Sequence, residues 1–258
     1  MPEGDTVFQT ARMLHDALAG QLVTRFELRV PRAATADLTG ETVRGVVPRG
    51  KHLLLRIGDH TLHSHLKMEG RWLLSRPGER WRAPEFQARA IVGTSRAIAV
   101  GFELAMVRLI RTAHEHELVG HLGPDLLGPH GDAAEAVRRL ASDPRPIHVA
   151  LLDQRNLAGL GNEYAGEVLF VRGILPRRPA AEVADLSGLV HTASRMIRAN
   201  RDRVPRTFTG DARPGRRTWV YRRGGMPCRR CGAPIRRTDL GATPASERIV
   251  FWCPNCQV

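Results

Sequence analysis

Four cysteines near the carboxyl end constrain the fold of this 258-residue chain more than any other feature. They form two Cys-x2-Cys pairs separated by 21 residues, and the chain has no other cysteine: Cys228, Cys231, Cys253 and Cys256. Such pairs are typical of four thiolates that converge on one Zn²⁺ ion. Two disulfides are the alternative, but the polar start MPEGDT lacks a signal-peptide pattern, and disulfides are rare in the cytosol. We therefore predict one structural zinc ion with no catalytic role.

The segment between the two pairs is predicted to form a β-hairpin. Its sequence, PIRRTDLGATPASERIVFW, has a polar turn rich in Gly, Pro and Ser, and then Ile249 and Phe251 alternate into Cys253. A closed four-cysteine site folds such a hairpin, which then presents Arg248 and its neighbours. A free-standing zinc ribbon for protein contacts is the alternative.

The net charge of +13 indicates a polyanionic partner. Residues 206–258 contain eleven arginines and three acidic residues, a net charge of +8, without a basic amphipathic helix, which favours nucleic acid over an anionic membrane. Only Lys51 and Lys67 among the 39 basic residues are lysines, so an arginine-rich proteome is the alternative explanation. No apolar run approaches the roughly 18–20 residues of a membrane span, and we expect a soluble cytoplasmic protein.

The order of predicted elements indicates an α+β protein. A helix over VFQTARMLHDALAG, preceded by the capping box Thr6-x-x-Gln9, comes first. Eight strand-like segments separated by turns then extend to about residue 111, which favours an antiparallel sandwich or barrel. Helical patterns follow. We predict an N-terminal β-sandwich domain with a flanking helix (1–120), a linker (121–131), a helical domain (132–216) and a zinc finger (217–258).

A glycine-rich turn joins two helices of the helical part, in DQRNLAGLGNEYAGEVLF. The first helix is predicted to end near Asn156, Gly159 and Gly161 permit a tight reversal, and Asn162 takes the N-cap position of the next helix. Backbone N–H groups and the positive helix end then point outward, which suits a phosphate group. An ordinary corner between two helices is the alternative.

The start MPEGDTVF also has a chemical interpretation. Removal of Met1 frees the secondary amine of Pro2, with Glu3 beside it and a helix amino end nearby. A small second residue permits the same removal in proteins where the amine has no function. In isolation, routine processing is the better explanation of this stretch.

Taken together, the Pro-Glu start, the β-rich first half, the GLGN turn and the four-cysteine hairpin resemble the formamidopyrimidine-DNA glycosylase and endonuclease VIII family. The resemblance covers essentially the whole chain. It implies that residues 132–216 form a helix–two-turn–helix DNA-binding domain, and that the protein is a bifunctional DNA glycosylase and AP lyase of base excision repair. Its partner is then damaged DNA, and we expect a monomer.

The resemblance also implies roles for individual residues. Pro2 is the nucleophile that attacks C1′ of the damaged nucleoside and forms a Schiff base, from which β,δ-elimination cleaves the strand. Glu3 is the general acid that protonates the sugar ring oxygen, and its alternative is a solvated surface carboxylate. Lys51 contacts the phosphate beside the lesion and assists catalysis, and its alternative is a solvated loop lysine.

Three further residues match the DNA-binding positions of the family. Asn162 and Arg248 bind phosphates of a kinked strand, and Met68, in HLKMEG, fills the gap left by an everted base. A buried core position is the alternative for Met68. The two other gap-filling residues cannot be placed in RTAHEHELVGHLG. Thr6 stands where many relatives have glutamate, and the form PEGDTV is closer to the endonuclease VIII branch.

The substrate prediction depends on the segment before the zinc hairpin. RTFTGDARPGRRTWVYRRGG is short for the longer loop that recognises oxidised purines, so we predict a preference for oxidised pyrimidines and abasic sites over 8-oxoguanine. An oxidised-purine (8-oxoguanine or formamidopyrimidine) glycosylase is the alternative enzyme. Two alternatives of other classes are a non-catalytic damaged-DNA-binding protein and an RNA-associated zinc-ribbon protein. Neither of them requires Pro2, Glu3 or Lys51.

Overall fold

One long helix, eight strands and one short helix form the first part of the chain. The structure, a computed structural model, describes residues 2–128 and 132–258, and it divides into two units, Met1–His121 and Leu122–Val258. All eight predicted strands are present. The first unit consists of α1 (Gly4–Leu18), β1 (Val23–Leu28), β2 (Val43–Arg49), β3 (His52–Ile57), β4 (His60–His65), β5 (Arg71–Ser75), β6 (Ala88–Thr94), β7 (Ile98–Phe102), β8 (Met106–Arg111) and the short helix α2 (Glu115–Val119).

The strands of the first unit pair as two four-stranded antiparallel sheets. Their orders are β1-β6-β7-β5 and β2-β3-β4-β8. Phe26 and Val92 of one sheet pack in the same core as Leu55 and Leu62 of the other, together with Leu14 of α1. Each fully buried leucine of this kind contributes roughly 1.5–3 kcal/mol. The predicted β-sandwich with a flanking helix is confirmed.

Helix α1 begins three residues earlier than the sequence pattern indicated. The predicted capping box is wrong, because Glu3 is the N-cap residue and Thr6 lies in the first helical turn. The Asp5 carboxylate instead accepts the backbone N–H of Thr6 at 2.7 Å. A carboxylate in the first turn stabilises the positive end of a helix, so Asp5 supports the early start.

The second unit begins with helices. Asp132 and Asp185 are N-cap residues whose side chains accept backbone N–H groups of the first turns of their helices. Helix α4 ends at Leu152, not near Asn156 as predicted, because Asp153 leaves the helical conformation and its carboxylate accepts the N–H of Arg155. The described helices of this unit are α3 (Ala133–Ala141), α4 (Ile147–Leu152), α5 (Asn162–Arg172) and α6 (Leu186–Asn200).

Part of the predicted linker packs into the second unit. Leu126 is buried in the same core as Leu140 of α3 and Leu169 of α5. The backbone of Asp125 forms an isolated bridge with Ala158. Residues 129–131 of the predicted linker lie outside the described residues. The second unit therefore has a core of its own, which begins before the first of its helices.

The predicted carboxyl-terminal hairpin is confirmed. Strands β9 (Arg236–Leu240) and β10 (Arg248–Trp252) pair antiparallel, and residues 241–247 connect them. Phe170 of α5 stacks on Trp219 with 5.4 Å between ring centroids, in a small core that also contains Val220 and Cys253. Among the described residues, no helix has the length and apolar character needed to cross a membrane.

Candidate functional site

The amino end of α1 holds Pro2 and Glu3. Glu3 has an extended backbone (φ −121°, ψ −173°), and its carbonyl accepts the N–H of Val7 at 3.0 Å. The Glu3 side chain is fully buried, and Pro2 is half-buried. A solvated surface carboxylate is therefore excluded for Glu3. Burying a carboxylate is costly unless neighbouring groups compensate it. The fold of this unit therefore holds the Glu3 carboxylate beside residue 2 in spite of that cost.

Helix α1 runs antiparallel to strand β2, which sets the direction of its amino end. The N–H of Gly20 donates to the carbonyl of Val43 at 2.8 Å, and the N–H of Val46 donates to Nδ1 of His15 at 3.2 Å. From His15 back to the helix start the axis covers about 16 Å, and the strand from Val46 to Lys51 covers about the same length. The start of α1 therefore points toward the end of the sheet at which Lys51 lies.

Lys51 lies at the tip of the β2–β3 hairpin. The register pairs Arg49 with His52, which leaves only Gly50 and Lys51 in the turn. Gly50 has a φ of 57°, in the left-handed region that glycine adopts at little cost. A two-residue turn of this kind fixes the position of the Lys51 backbone at the sheet edge.

Met68 projects from the loop that follows β4. His52 is the first residue of β3 and pairs with His65, the last residue of β4. The loop after β4 therefore leaves the strands at the same end of the sheet as the turn that carries Lys51. The Met68 side chain is 55% exposed, which excludes the core position that was its alternative interpretation. An exposed methionine at the tip of a loop is available for contact with another molecule.

Four histidines surround the same edge, and the sequence analysis did not assign them. Nδ1 of His52 lies 2.8 Å from Nε2 of His63, and the rings of His65 and His121 lie 5.1 and 6.4 Å from that of His52. Burial lowers the pKa of His52 to about 3 and the pKa values of His63 and His65 to about 4, and neighbouring positive charges add to the effect. These three rings are therefore neutral at pH 7. For His63 and His65 the signal was the alternating stretch HTLHSHL.

In the second unit, the GLGN turn leads directly into α5. Gly159 has a φ of 102°, so this position requires glycine. Gly161, with an extended backbone, is the N-cap residue, and Asn162 is the first helical residue and not the N-cap as predicted. The positive end of an eleven-residue helix thus begins at Asn162.

Asn162 links the start of α5 to the hairpin. Its side chain is only 8% exposed, and Nδ2 donates to the carbonyl of Ile249 at 3.0 Å. Arg248, the preceding residue and the first of β10, is exposed. The structure therefore brings these two predicted residues together within the second unit.

The four cysteines form a compact cluster of free thiols. Their Sγ atoms all lie within 4.8 Å of one another, with 3.4 Å between Cys231 and Cys253 and 4.0 Å between Cys228 and Cys256. A Zn–S bond of about 2.3 Å in a tetrahedral site separates sulfur atoms by about 3.8 Å. The N–H of Arg230 also donates to Sγ of Cys228 at 3.4 Å. The residues therefore fit a structural metal ion, and the alternative of two disulfides is excluded.

Two buried residues of the second unit were missed in the sequence. Glu167, in the middle of α5, is fully buried and accepts three backbone N–H groups from residues 219–221. His148, in α4, is also fully buried and lies near Asn162. The only sequence signal was one polar residue within each of the apolar stretches AGEVLF and PIHVALL, which does not identify a partner.

The chain is therefore an α+β protein made of a β-sandwich, a helical unit in which a glycine turn leads into α5, and a hairpin that carries four clustered thiols. Residues 1–122 match the formamidopyrimidine-DNA glycosylase N-terminal domain, and residues 122–199 match the formamidopyrimidine-DNA glycosylase H2TH domain. The chain belongs to the formamidopyrimidine-DNA glycosylase and endonuclease VIII family, as the sequence predicted.

Individual relatives agree over the whole chain. A probable endonuclease 8 2 of Streptomyces coelicolor is 51% identical and aligns with 100% of this chain and 94% of its own length. The DNA-(apurinic or apyrimidinic site) lyase Nei2 of Mycolicibacterium smegmatis is 48% identical over 100% of this chain and 99% of its own length. A complex of Lactococcus lactis Fpg with DNA that contains an abasic site superposes with a TM-score of 0.82 at 26% identity, covering 99% of both chains.

Proposed function

We propose that this protein is a bifunctional DNA glycosylase and AP lyase of base excision repair that acts on damaged DNA. The observation that carries the proposal is the buried Glu3 beside Pro2, at an amino end that points toward Lys51. The names of the relatives, an endonuclease 8 and an AP lyase, support the same activity.

The chemistry begins at Pro2. Removal of Met1 frees its amine, and the lone pair of that nitrogen is the nucleophile. The amine attacks C1′, the damaged base leaves, and an iminium joins Pro2 to the sugar. Glu3 protonates the ring oxygen as the sugar opens, and Lys51 binds the adjacent phosphate. The iminium acidifies the C2′ proton, and loss of this proton to water breaks the C3′–O bond and expels the 3′ phosphate. Loss of the C4′ proton then breaks the C5′–O bond and expels the 5′ phosphate, and water hydrolyses the iminium to release Pro2.

The second unit and the Met68 loop bind the substrate. Asn162 and Arg248 contact phosphates, with the amino end of α5 adding its positive field. Met68 enters the stack where the damaged nucleotide has been everted. One Zn²⁺ ion, held by the four thiolates, folds the hairpin that presents Arg248 and takes no part in the reaction. The preferred substrates are oxidised pyrimidines and abasic sites, and the protein acts as a monomer.

Borohydride trapping tests the nucleophile. A duplex with an abasic site should give a covalent adduct with protein that has lost Met1, as verified by mass spectrometry. The adduct should be lost in Pro2→Gly and in protein whose amine is blocked by an amino-terminal tag. The matched control is Pro84→Gly, which changes an exposed proline of the same unit. A correctly processed protein that gives no adduct would support the non-catalytic damaged-DNA-binding alternative.

The substrate preference is tested by excision rates. Dihydrouracil and 8-oxoguanine are each placed opposite their normal partner in otherwise identical duplexes. We expect faster excision of dihydrouracil under single-turnover conditions. A clearly faster release of 8-oxoguanine would assign the protein to oxidised purines instead.

The role of Arg248 is tested by salt dependence. Arg248→Ala should weaken DNA binding and reduce the slope of log Kd against log salt by about 0.9, the value for one lost phosphate contact. Zinc content should not change. Arg236→Ala, an exposed arginine on the other strand of the hairpin, is the matched control. Loss of zinc from the Arg248→Ala protein would mean that the Arg248 side chain stabilises the hairpin and does not act mainly by binding DNA.

A further inference from the structure

Three buried polar atoms lie together without hydrogen-bond partners behind the GLGN turn. Within the part of the chain that the structure describes, Nδ1 and Nε2 of His148 and Oδ1 of Asn162 have no partner of ordinary geometry. His148 is fully buried, and its backbone N–H donates to the carbonyl of Pro176 at 3.2 Å. Buried polar groups almost always find a partner, so three such atoms in one place require an explanation.

The orientation of the Asn162 amide follows from its contact with Ile249. The backbone carbonyl oxygen of Ile249 can only accept a hydrogen bond. The Asn162 atom that lies 3.0 Å from it must therefore be the amide nitrogen Nδ2, which donates. Oδ1 is then directed away from the hairpin and needs a donor. The His148 ring is close enough to interact with the Asn162 side chain. An imidazole N–H is the one kind of group that this histidine can offer to an oxygen.

The charge state of His148 permits this bond at neutral pH. Burial lowers the pKa of His148 to about 4, against a smaller opposing effect of the Asn162 side chain. The neutral ring has one N–H donor and one lone pair. Donation of that proton to Oδ1 satisfies two of the three orphaned atoms without burying a charge.

We propose that His148 is a positioning residue for DNA binding, which holds Oδ1 of Asn162 so that Nδ2 keeps the start of α5 joined to the strand of Arg248. This inference rests on the proposed function. One hydrogen of Nδ2 bonds Ile249, and the other is left for a phosphate oxygen. His148 therefore acts through Asn162 and touches neither DNA nor the reacting atoms.

A double-mutant cycle tests the coupling. The Kd for a duplex with a stable abasic-site analogue is measured for His148→Leu, Asn162→Ala and the double variant. His148→Leu should raise Kd about tenfold, as expected for loss of one buried hydrogen bond. In the Asn162→Ala background it should have no further effect. His148→Gln, which keeps an N–H donor, should restore most of the affinity. Additive effects of His148→Leu and Asn162→Ala would overturn the proposal.

The matched control for this cycle is Asn200→Ala. Asn200 is a buried amide of the same unit that bonds the backbone of Thr207. Its effect on Kd should add to that of Asn162→Ala, because the two side chains have separate partners. Coupling of the same size for Asn200 would show that the His148 effect is a general loss of stability.

A DNA-independent measurement separates this inference from the proposed function. NMR of the full chain with ¹⁵N-labelled histidine should show an exchange-protected His148 ring N–H at pH 7, and Asn162→Ala should remove that protection. Persistence of the protected signal in Asn162→Ala, or its absence from the wild type, would overturn the His148 assignment. Failure of the wild type to form a borohydride adduct would overturn the proposed enzyme and leave the NMR result intact.

Discussion

The carboxylate of Glu167 ties a helix to a distant loop. Oε2 accepts the N–H of Trp219 at 2.7 Å, and Oε1 accepts the N–H groups of Val220 and Tyr221 at 2.9 and 2.8 Å. Burial raises the pKa of Glu167 to about 7, and the three backbone donors act against that rise. The loop it holds leads into the first Cys-x2-Cys pair, so one side chain orients the hairpin on α5.

Replacement of this carboxylate should be costly. Glu167→Gln replaces one acceptor oxygen with an amide NH2 group, which cannot accept a hydrogen bond. At least one of the three backbone N–H groups of residues 219–221 then has no acceptor. We expect the free energy of unfolding to fall by about 3 kcal/mol at pH 8, measured by urea denaturation. Glu182→Gln, an exposed glutamate of the same unit, should change it by less than about 0.5 kcal/mol. A loss of similar size in both variants would contradict this role.

The candidate site residues predicted from the sequence are those that local spacing singles out. The cysteines, Arg248 and the Pro-Glu start belong to short motifs at fixed distances. Glu167 and His148 could not be found in this way. The partner amides of Glu167 are 52 to 54 residues away in the chain, and no spacing rule connects them. Long-range hydrogen bonds appear only once tertiary contacts are known.

At the level of elements, strands were predicted better than helix ends. Strand-like apolar segments and the turn residues between them indicated all eight strands of the sandwich, and each of these strands has residues in the shared core. The ends of α1 and α4 were wrong, since Asp5 and Asp153 each form a local bond that competes with the expected cap. Such competition between two acceptable caps is decided by packing, which local sequence does not contain.

The hairpin should depend on its metal. Without an ion, nothing joins the four cysteines to one another, and strands β9 and β10 retain little core of their own. Chelation or Cys231→Ser should therefore abolish DNA binding and reduce zinc from one ion per chain toward zero, measured by atomic emission and fluorescence anisotropy. Arg236→Ala in the same hairpin should keep the zinc. Full DNA affinity in zinc-free protein would contradict the proposed structural role.

At the scale of the whole molecule, each unit buries a neutral histidine in or beside its proposed site. His63 is 1% exposed in the first unit and His148 is fully buried in the second. Burial lowers both pKa values to about 4, and the charge of Arg108 adds to the effect on His63. Both histidines bind a proton near pH 6.5 once the chain is unfolded. The folded and unfolded states therefore bind different numbers of protons between pH 4 and 6.5.

This difference predicts a loss of stability in acid. Because these two histidines bind more protons in the unfolded state in that window, their contribution to the free energy of unfolding is largest above pH 6.5 and falls as the pH decreases toward 4. Each histidine contributes a slope of up to about 1.4 kcal/mol per pH unit. His148→Leu should remove one such contribution from the slope measured by urea denaturation, and His63→Leu the other. Measurements at pH 8, where both rings are neutral in both states, give the cost of each substitution without the proton effect. An unchanged slope in both variants between pH 6.5 and 4 would show that neither ring is held neutral by the fold.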